Sequence, residues 1–367
     1  MKILIIGLYN NLGGIEKCIF DYICHMNKSD IQIDLLGNPE HVWFEEKFKE
    51  MGCRILPTAK RFFFFNYIKD LYTIMKNNKY DLVHCNILSC ANLLPIFIAS
   101  VLGVKIIVHS HNSSSPISRL NMKSFIRNLL HLINKQILKT IKCYRLSCSE
   151  TAAIYMFGRK KYTLLNNAVD VDRFAFNTSL REKVRKELNI DNDTLLIGQV
   201  GRFEYQKNHE FSLKLFSEYL KVNSKAKLLF IGKGTLLEKC KRLATELHIE
   251  NDVIFYGFSP NVNEFLSAFD IFLFPSHFEG LSVAGIEAQC AGLPIIASDT
   301  ISREMEITDL VFWCSLFSPI EVWIKCIELA RKKVRKDYSN EITKNKYNIR
   351  IEAEKLRNIY KEVSLWS

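Results

Sequence analysis

Two stretches of the chain, 3–147 and 195–297, repeat one rhythm in which short apolar, β-rich runs are separated by segments with helical spacing. In the first stretch, residues 3–6, 32–36, 82–85, 105–108 and 144–147 read as strands, with helices at 15–26 and 92–102 among the intervening segments. In the second, 195–200, 227–231, 253–256, 271–274 and 294–297 read as strands. Strands that alternate with helices build a doubly wound parallel sheet. The rhythm breaks at LLNNAVDVDRFAFN, 164–177, where Asn, Asp and aromatic residues replace the periodic pattern. A chain of 367 residues exceeds the size at which one core usually stops growing. The expectation is therefore two α/β domains, 1–168 and 191–340, with a linker region at 169–190 and a charged C-terminal helix within 341–367. Ligands of such sheets bind at the carboxyl ends of the strands, so the cleft between the domains is where polar residues deserve reading.

Composition narrows the class. Apolar residues make up 48% of the chain and are interspersed with charge, as in globular proteins. The N-terminal MKILIIGLYN lacks a small-residue cleavage site and reads as a buried first strand. The longest apolar runs fall short of the roughly 20 residues that cross a bilayer, so a cytoplasmic protein is expected. Eleven scattered cysteines without CxxC spacing suit buried small side chains in a reducing compartment. The net charge of +11 is uneven, with ten Lys/Arg and one acid, Glu150, between Pro116 and Lys161. Phe125, Ile126, Leu129, Leu130, Leu132, Ile133 and Ile137 are interleaved with those charges. The segment reads either as a solvated helix face or as a basic amphipathic helix suited to an anionic membrane surface. The run 62–65, four phenylalanines after Arg61, reads as an apolar wedge for that surface or as core. Motifs that stack on bases or read a groove are missing, which disfavours nucleic acid as the anionic partner.

Polar residues gather at the expected strand ends. The first strand leads into GLYNNLGGIEK, where Gly13-Gly14 at a helix start either bring backbone N–H groups to an anion or make a tight turn. The run KIIVHSHNSS delivers His109 and His111 on one side of an extended chain, for hydrogen bonding to a substrate or for structure. No further ligands at metal spacing accompany them. VGRFEYQKNH places Arg202 and Lys207 just before a helix, suited to a diphosphate or else merely surface charge. In IFLFPSHFEGLSVAGIEAQCAGLP, Glu279 lies in a loop, Ser282 can cap a helix at 283–291, and Glu287 lies inside that helix. The two carboxylates suit the hydroxyls of one ligand, or the paired acids of a hydrolase; a diphosphate-binding pair has no place in the latter. Asp170-Val171-Asp172, formally a DxD, sits in the linker and is read as a linker feature, without metal.

GGIE at 13–16, VHSHNSS, LLNNAVDVDRF, VGRFEYQKNH, LLFIGKG, FPSHFEGL, IEAQCAGLPIIASDTI and EITDL occur in an order that resembles glycosyltransferase family 4, in its bacterial exopolysaccharide, capsule and O-antigen branch. The resemblance implies a GT-B fold, two Rossmann-like domains, 1–168 on the acceptor side and 191–340 binding the nucleotide-sugar, with a C-terminal helix crossing back to the first, and transfer with retention and without a metal or other cofactor. It implies that Arg202 and Lys207 hold the diphosphate of a nucleotide-sugar donor, a UDP-sugar by expectation. Glu287 would hold the ribose, Glu279 the donor sugar, and the backbone of Gly280, Leu281, Ser282 and Val283 would lie near the phosphate. Gly14 and His111 would approach the donor from the first domain, and Gly232 and Gly234 would line the nucleotide pocket. The implied acceptor is a lipid-linked or oligosaccharide chain at the inner face of the plasma membrane. Ser282 and Ala284-Gly285 depart from the family's common residues, which makes 282–285 the expected determinant of donor choice. The alternative is a catalytically inactive membrane-associated scaffold of the same shape, against which Arg202, Lys207, Glu279 and Glu287 all argue.

Overall fold

In the computed structural model, residues 1–8, 14–37, 42, 44–59, 63–112, 122–279 and 282–366 are described. The chain divides into two compact units, one of residues 1–168 with 349–367 and the other of residues 169–348. The described strands of the first unit are β1 (Lys2–Ile6), β2 (Gln32–Gly37), β3 (Arg54–Pro57), β4 (Leu82–Ile87), β5 (Lys105–Ser110), β6 (Tyr144–Ser147) and β7 (Thr163–Leu164). They form one sheet in the order β3-β2-β1-β4-β5-β6-β7, parallel throughout. The side-chain period of two divides the strands between two cores. Ile3, Ile5, Ile33, Leu35 and Ile107 enter one, and Leu4, Ile6, Val83, Ile106 and Val108 enter the other. Burial on both faces explains why these strands read as nearly continuous apolar runs.

The second unit carries β8 (Leu195–Val200), β9 (Ala226–Ile231), β10 (Val253–Gly257), β11 (Ile271–Phe274), β12 (Ile295–Ser298) and β13 (Val311–Cys314). Their order is β10-β9-β8-β11-β12-β13, again parallel. Strands β3, β7 and β13 were not anticipated; each is four residues or fewer and sits at or near a sheet edge, too short to show a period.

Two segments differ from expectation. Residues 169–190 are not a free linker: they form helices Val171–Phe174 and Thr178–Glu187, and Val171, Phe174, Val184 and Ile190 lie in a core of the second unit. Asp170 caps the first of these helices, its carboxylate accepting from the Arg173 N–H at 3.2 Å. The charged C-terminal segment is two helices, Ser339–Lys344 and Ile349–Ser364. Lys346, at φ 66°, lies in the break between them. Ile342 and Tyr347 pack in the second unit. Ile349, Ala353, Leu356, Ile359, Tyr360 and Val363 pack in the first. The last helix thus belongs to the first unit even though the whole second unit precedes it in sequence.

Candidate functional site

Each sheet reverses its winding once. In the second unit the reversal falls between β8 and β11, neighbours in space whose following loops must diverge to opposite sides. Such a switch point opens a crevice at the carboxyl ends of the two strands. The loop after β8 carries Arg202 and Lys207, and the loop after β11 carries Glu279. The structure brings the last two into contact: Lys207 Nζ lies 2.7 Å from Glu279 Oε1, with both side chains largely buried, and the ammonium stands 4.8 Å over the Phe274 ring. Arg202 is exposed, and its side chain makes no hydrogen bond or ion pair among the described residues. The Lys207–Glu279 pair is neutral as a unit, so the Arg202 guanidinium is the uncompensated charge of the loop after β8.

Several residues that the sequence reading passed over hold this geometry. Gln206 Nε2 donates to Glu279 Oε2 at 3.0 Å and to the Phe278 carbonyl at 3.1 Å, while the Gln206 carbonyl accepts from the His277 N–H at 2.8 Å. Tyr205 stacks on His277, ring centroids 4.3 Å apart. Fully buried Gln199 donates to the Lys207 carbonyl at 2.7 Å and accepts from Ser212 Oγ at 2.6 Å. Asn208, at φ 54°, donates to the Pro275 carbonyl. The two loops are therefore stitched together by amide side chains. A lone glutamine in a buried apolar strand was the available signal for Gln199.

Gly232 and Gly234 follow β9 and serve backbone packing. A Cβ on Gly232 would stand 1.9 Å from the Gly201 carbonyl oxygen, and one on Gly234 would meet the Phe203 backbone at 2.5 Å. The close approach lets Phe203 N–H bond the Lys233 carbonyl and Leu236 N–H bond the Phe203 carbonyl. Gly232→Ala is expected to lower stability by about 3 kcal/mol or more, since neither backbone can yield without breaking these bonds. Denaturant titration reads this, with an unchanged midpoint as the contrary result.

The helix Val283–Cys290 carries Glu287, which is buried. Ser282 occupies the N-cap position and is itself buried, but its side chain makes no capping hydrogen bond, contrary to expectation. Gly285 does not open toward a ligand: its Cα faces Met305, whose Sδ a Cβ would meet at 2.7 Å. Its departure from the family pattern is thus a matter of packing, while Val283 and Ala284 stay half-buried. Gly280 and Leu281 lie outside the described residues.

In the first unit, Gly14 opens the helix Gly14–His25, and a Cβ there would meet nothing within 4 Å among the described residues; Gly13 lies outside them. His111 follows β5, with Nε2 2.8 Å from Asn86 Oδ1. Its ring is 4.0 Å from that of His109, which stacks on His84 at 5.4 Å. His84 Nδ1 pairs with the Tyr360 hydroxyl at 2.6 Å. Burial pushes His84 down to about 3 and His111 down to about 4, and holds His109 well below its usual value. All three imidazoles are neutral at physiological pH, so His111 can donate or accept a hydrogen bond but carries no charge.

Within the basic segment, the helix Met122–Leu138 forms with its polarity inverted. His131 is buried and accepts from the Cys90 N–H, Asn134 donates to the Cys90 carbonyl, and Lys135 donates to the Ile154 and Tyr155 carbonyls. Phe125, Ile126, Leu129, Leu132 and Ile133 face outward, Phe125 at 65% and Leu132 at 60% exposure. Phe63, Phe64 and Phe65 are exposed as well, so they are not core. Residues 116–121 and Phe62 lie outside the described residues. Among the described residues, no helix is long and apolar enough to cross a membrane.

Residues 181–315 match the family described as Glycosyl transferases group 1. The chain is 29% identical over 331 residues to the putative glycosyltransferase EpsF of Bacillus subtilis, covering 87% of this chain and 85% of that one. It is 25% identical over 234 residues to the UDP-Gal:alpha-D-GlcNAc-diphosphoundecaprenol alpha-1,3-galactosyltransferase of Escherichia coli, covering 62% of this chain and 60% of the other. Among solved structures, Anabaena Alr3699/HepE in complex with UDP superposes with a TM-score of 0.80 at 15% identity, over 99% of this chain and 100% of that one.

Proposed function

On a GT-B fold whose residues 181–315 are a glycosyl transferases group 1 domain, we propose that the chain is a retaining, metal-independent hexosyltransferase. It moves a hexose or N-acetylhexosamine from a nucleotide-sugar, by preference a UDP-sugar, to a lipid-linked cell-surface polysaccharide or its precursor. The observation that carries this reading is the β8/β11 switch point, where the loop after β8, which bears Arg202 and Lys207, meets the loop after β11 through the Lys207–Glu279 ion pair. Arg202 and Lys207 hold the diphosphate; Glu279, steadied by Gln206, takes the donor sugar, and Glu287 the ribose. As the bond from the anomeric carbon to phosphate oxygen breaks, its electron pair leaves with the nucleoside diphosphate, and fixed cations stabilise that charge. The acceptor oxygen bonds the same face of the anomeric carbon, and its proton passes to the departing phosphate.

A panel of UDP-, GDP- and dTDP-sugars tested by thermal unfolding checks this reading. A ligand at about 100 times its Kd stabilises the folded state by about 2.7 kcal/mol. Protection by a UDP-sugar is expected. Absence of protection by every member, or a product with inverted anomeric configuration, would contradict the reading.

The outward apolar face of Met122–Leu138 also bears on where the enzyme works. Its occupant in this reading is an anionic membrane surface, because the exposed apolar face belongs to a segment rich in Lys and Arg and the Escherichia coli relative's acceptor is lipid-linked. Leu129→Glu with Ile133→Glu should abolish flotation with vesicles containing phosphatidylglycerol. Unchanged flotation, or concentration-dependent dimerisation abolished by the same pair, would count against it.

A further inference from the structure

Nine of the eleven thiols are buried, and the two that reach solvent are Cys24 and Cys326. Cys326 lies on the helix Ile320–Ala330, and Cys314 ends β13. Their sulfurs are 3.0 Å apart, the Cys314 S–H donating to Cys326 Sγ, and both are unbridged. The two elements are fixed where they meet. Cys314 pairs in register with Ser298 on β12, and its carbonyl accepts from the Asp299 N–H at 2.9 Å. On the helix, Trp323 is fully buried, packs edge-on against Phe211 and donates from Nε1 to the Ser315 carbonyl at 3.0 Å. Ile327 and Ala330 enter the same core as Cys314.

A covalent bond needs the two sulfurs at about 2.05 Å. From 3.0 Å that is a closure of about 1 Å, which side-chain rotation supplies without moving either element. The thiols also differ in access: Cys326 meets solvent, whereas Cys314 is 2% exposed. Burial, and then the hydrogen bond to Cys326, push the Cys314 thiol above its ordinary value, which makes it a poor first nucleophile. A reachable thiol poised beside a resolving one is the arrangement of oxidation-sensitive cysteine pairs.

We propose that Cys314 and Cys326 form a redox modification site, at which hydrogen peroxide makes a reversible disulfide between β13 and the helix Ile320–Ala330. The Cys326 sulfur attacks the peroxide, the O–O bond breaks, and one oxygen leaves as water while Cys326 becomes a sulfenic acid. Cys314 then attacks that sulfur. The S–O bond breaks, and the hydroxyl leaves with the Cys314 proton as a second water. The two thiols have given up two electrons, which the peroxide has taken. Exchange with a small dithiol reverses the bond. The cross-link closes the short loop from β13 to the helix, so it restricts the unfolded chain and makes the second unit more resistant to denaturant. The site stands independently of the donor-binding assignments.

Mass spectrometry of the native full chain tests this, in a Cys24→Ser background that removes the other solvent-reaching thiol. After brief exposure to hydrogen peroxide and alkylation, trypsin should release fragments 304–325 and 326–331 joined, and dithiothreitol before digestion should separate them. With dimedone present, Cys314→Ser should carry a sulfenic-acid adduct at Cys326. Cys326→Ser should give neither an adduct at Cys314 nor joined fragments. The oxidised chain should unfold at a higher denaturant concentration than the reduced one, a difference that Cys326→Ser removes. Three results overturn the proposal: fragments that join no faster in the native chain than in the denatured one; a dimedone adduct on Cys314 in the Cys326→Ser chain, which reverses the order of attack; or linkage of Cys326 to a third cysteine. Should Cys314→Ser fail to fold, the fragment map and Cys326→Ser, at a half-buried position, still decide it.

Discussion

Arg202→Ala should lower kcat/KM by roughly 10²–10³-fold while leaving the unfolding midpoint unchanged. The size follows from removing one preorganised charge aimed at a leaving diphosphate, about 2.7–4 kcal/mol. The unchanged stability follows from exposure: Arg202 has no partner among the described residues to orphan. Lys207→Ala should lose as much activity and also some stability. Its removal leaves the Glu279 carboxylate, 11% exposed, without its cation, and an uncompensated charge is costly even where solvent partly screens it. Steady-state kinetics beside denaturant titration separates the two variants. Equal activity loss with equal destabilisation in both would mean that Arg202 is structural. Full activity in either would remove that residue from the donor site.

Acidification should unfold the chain well above the pH at which its carboxylates are protonated. His84 and His209 are pushed down to about 3 and His111 to about 4, chiefly by burial, and burial also lowers His109 and His131. Below about pH 6.5 the unfolded chain binds protons that these buried rings refuse, so the unfolded state gains and stability falls. The contribution is full above pH 6.5 and is lost as pH drops toward 4, at about 1.4 kcal/mol per histidine per unit. Burial also lowers His277, which like His209 belongs to the second unit; His84, His109, His111 and His131 all belong to the first, which should melt first. There His84, His109 and His111 form one cluster, joined to Tyr360 and flanked by Asn86. His131 must keep Nδ1 free to accept from Cys90, and Lys135 nearby further opposes its protonation. Calorimetry from pH 7.5 to 4.5 should show an early transition moving down faster than a later one. Parallel movement of both, or none, would mean that the rings titrate normally.

Much of the candidate site was legible because it lies where short-range sequence grammar is strong. Arg202, Lys207 and Glu279 each follow an apolar strand within eight residues, so their place at strand ends could be read from the run itself. That Lys207 touches Glu279 could not, since the pairing depends on β8 lying beside β11 with β9 and β10 on the far side. Gln206 was invisible for the same reason: its role is to reach across to the other loop. Gly232 and Gly234 illustrate a different limit. A glycine pair after a strand suggests close approach to something, and sequence alone cannot tell a nucleotide from the neighbouring backbone.

From the sequence by itself came the parallel α/β class, its repetition in two units and the strand ends that carry charge. All rest on local periodicity and on residues a few positions apart. The tertiary structure decided strand order, hence the two switch points, and it drew 169–190 into the second unit and Ile349–Ser364 into the first. It also turned the helix Met122–Leu138 inside out. Amphipathic spacing shows that a helix has two faces but is blind to which one meets the body. Here His131, Asn134 and Lys135 bond backbone groups of Cys90, Ile154 and Tyr155, so the polar face turned inward and the apolar face was left outside.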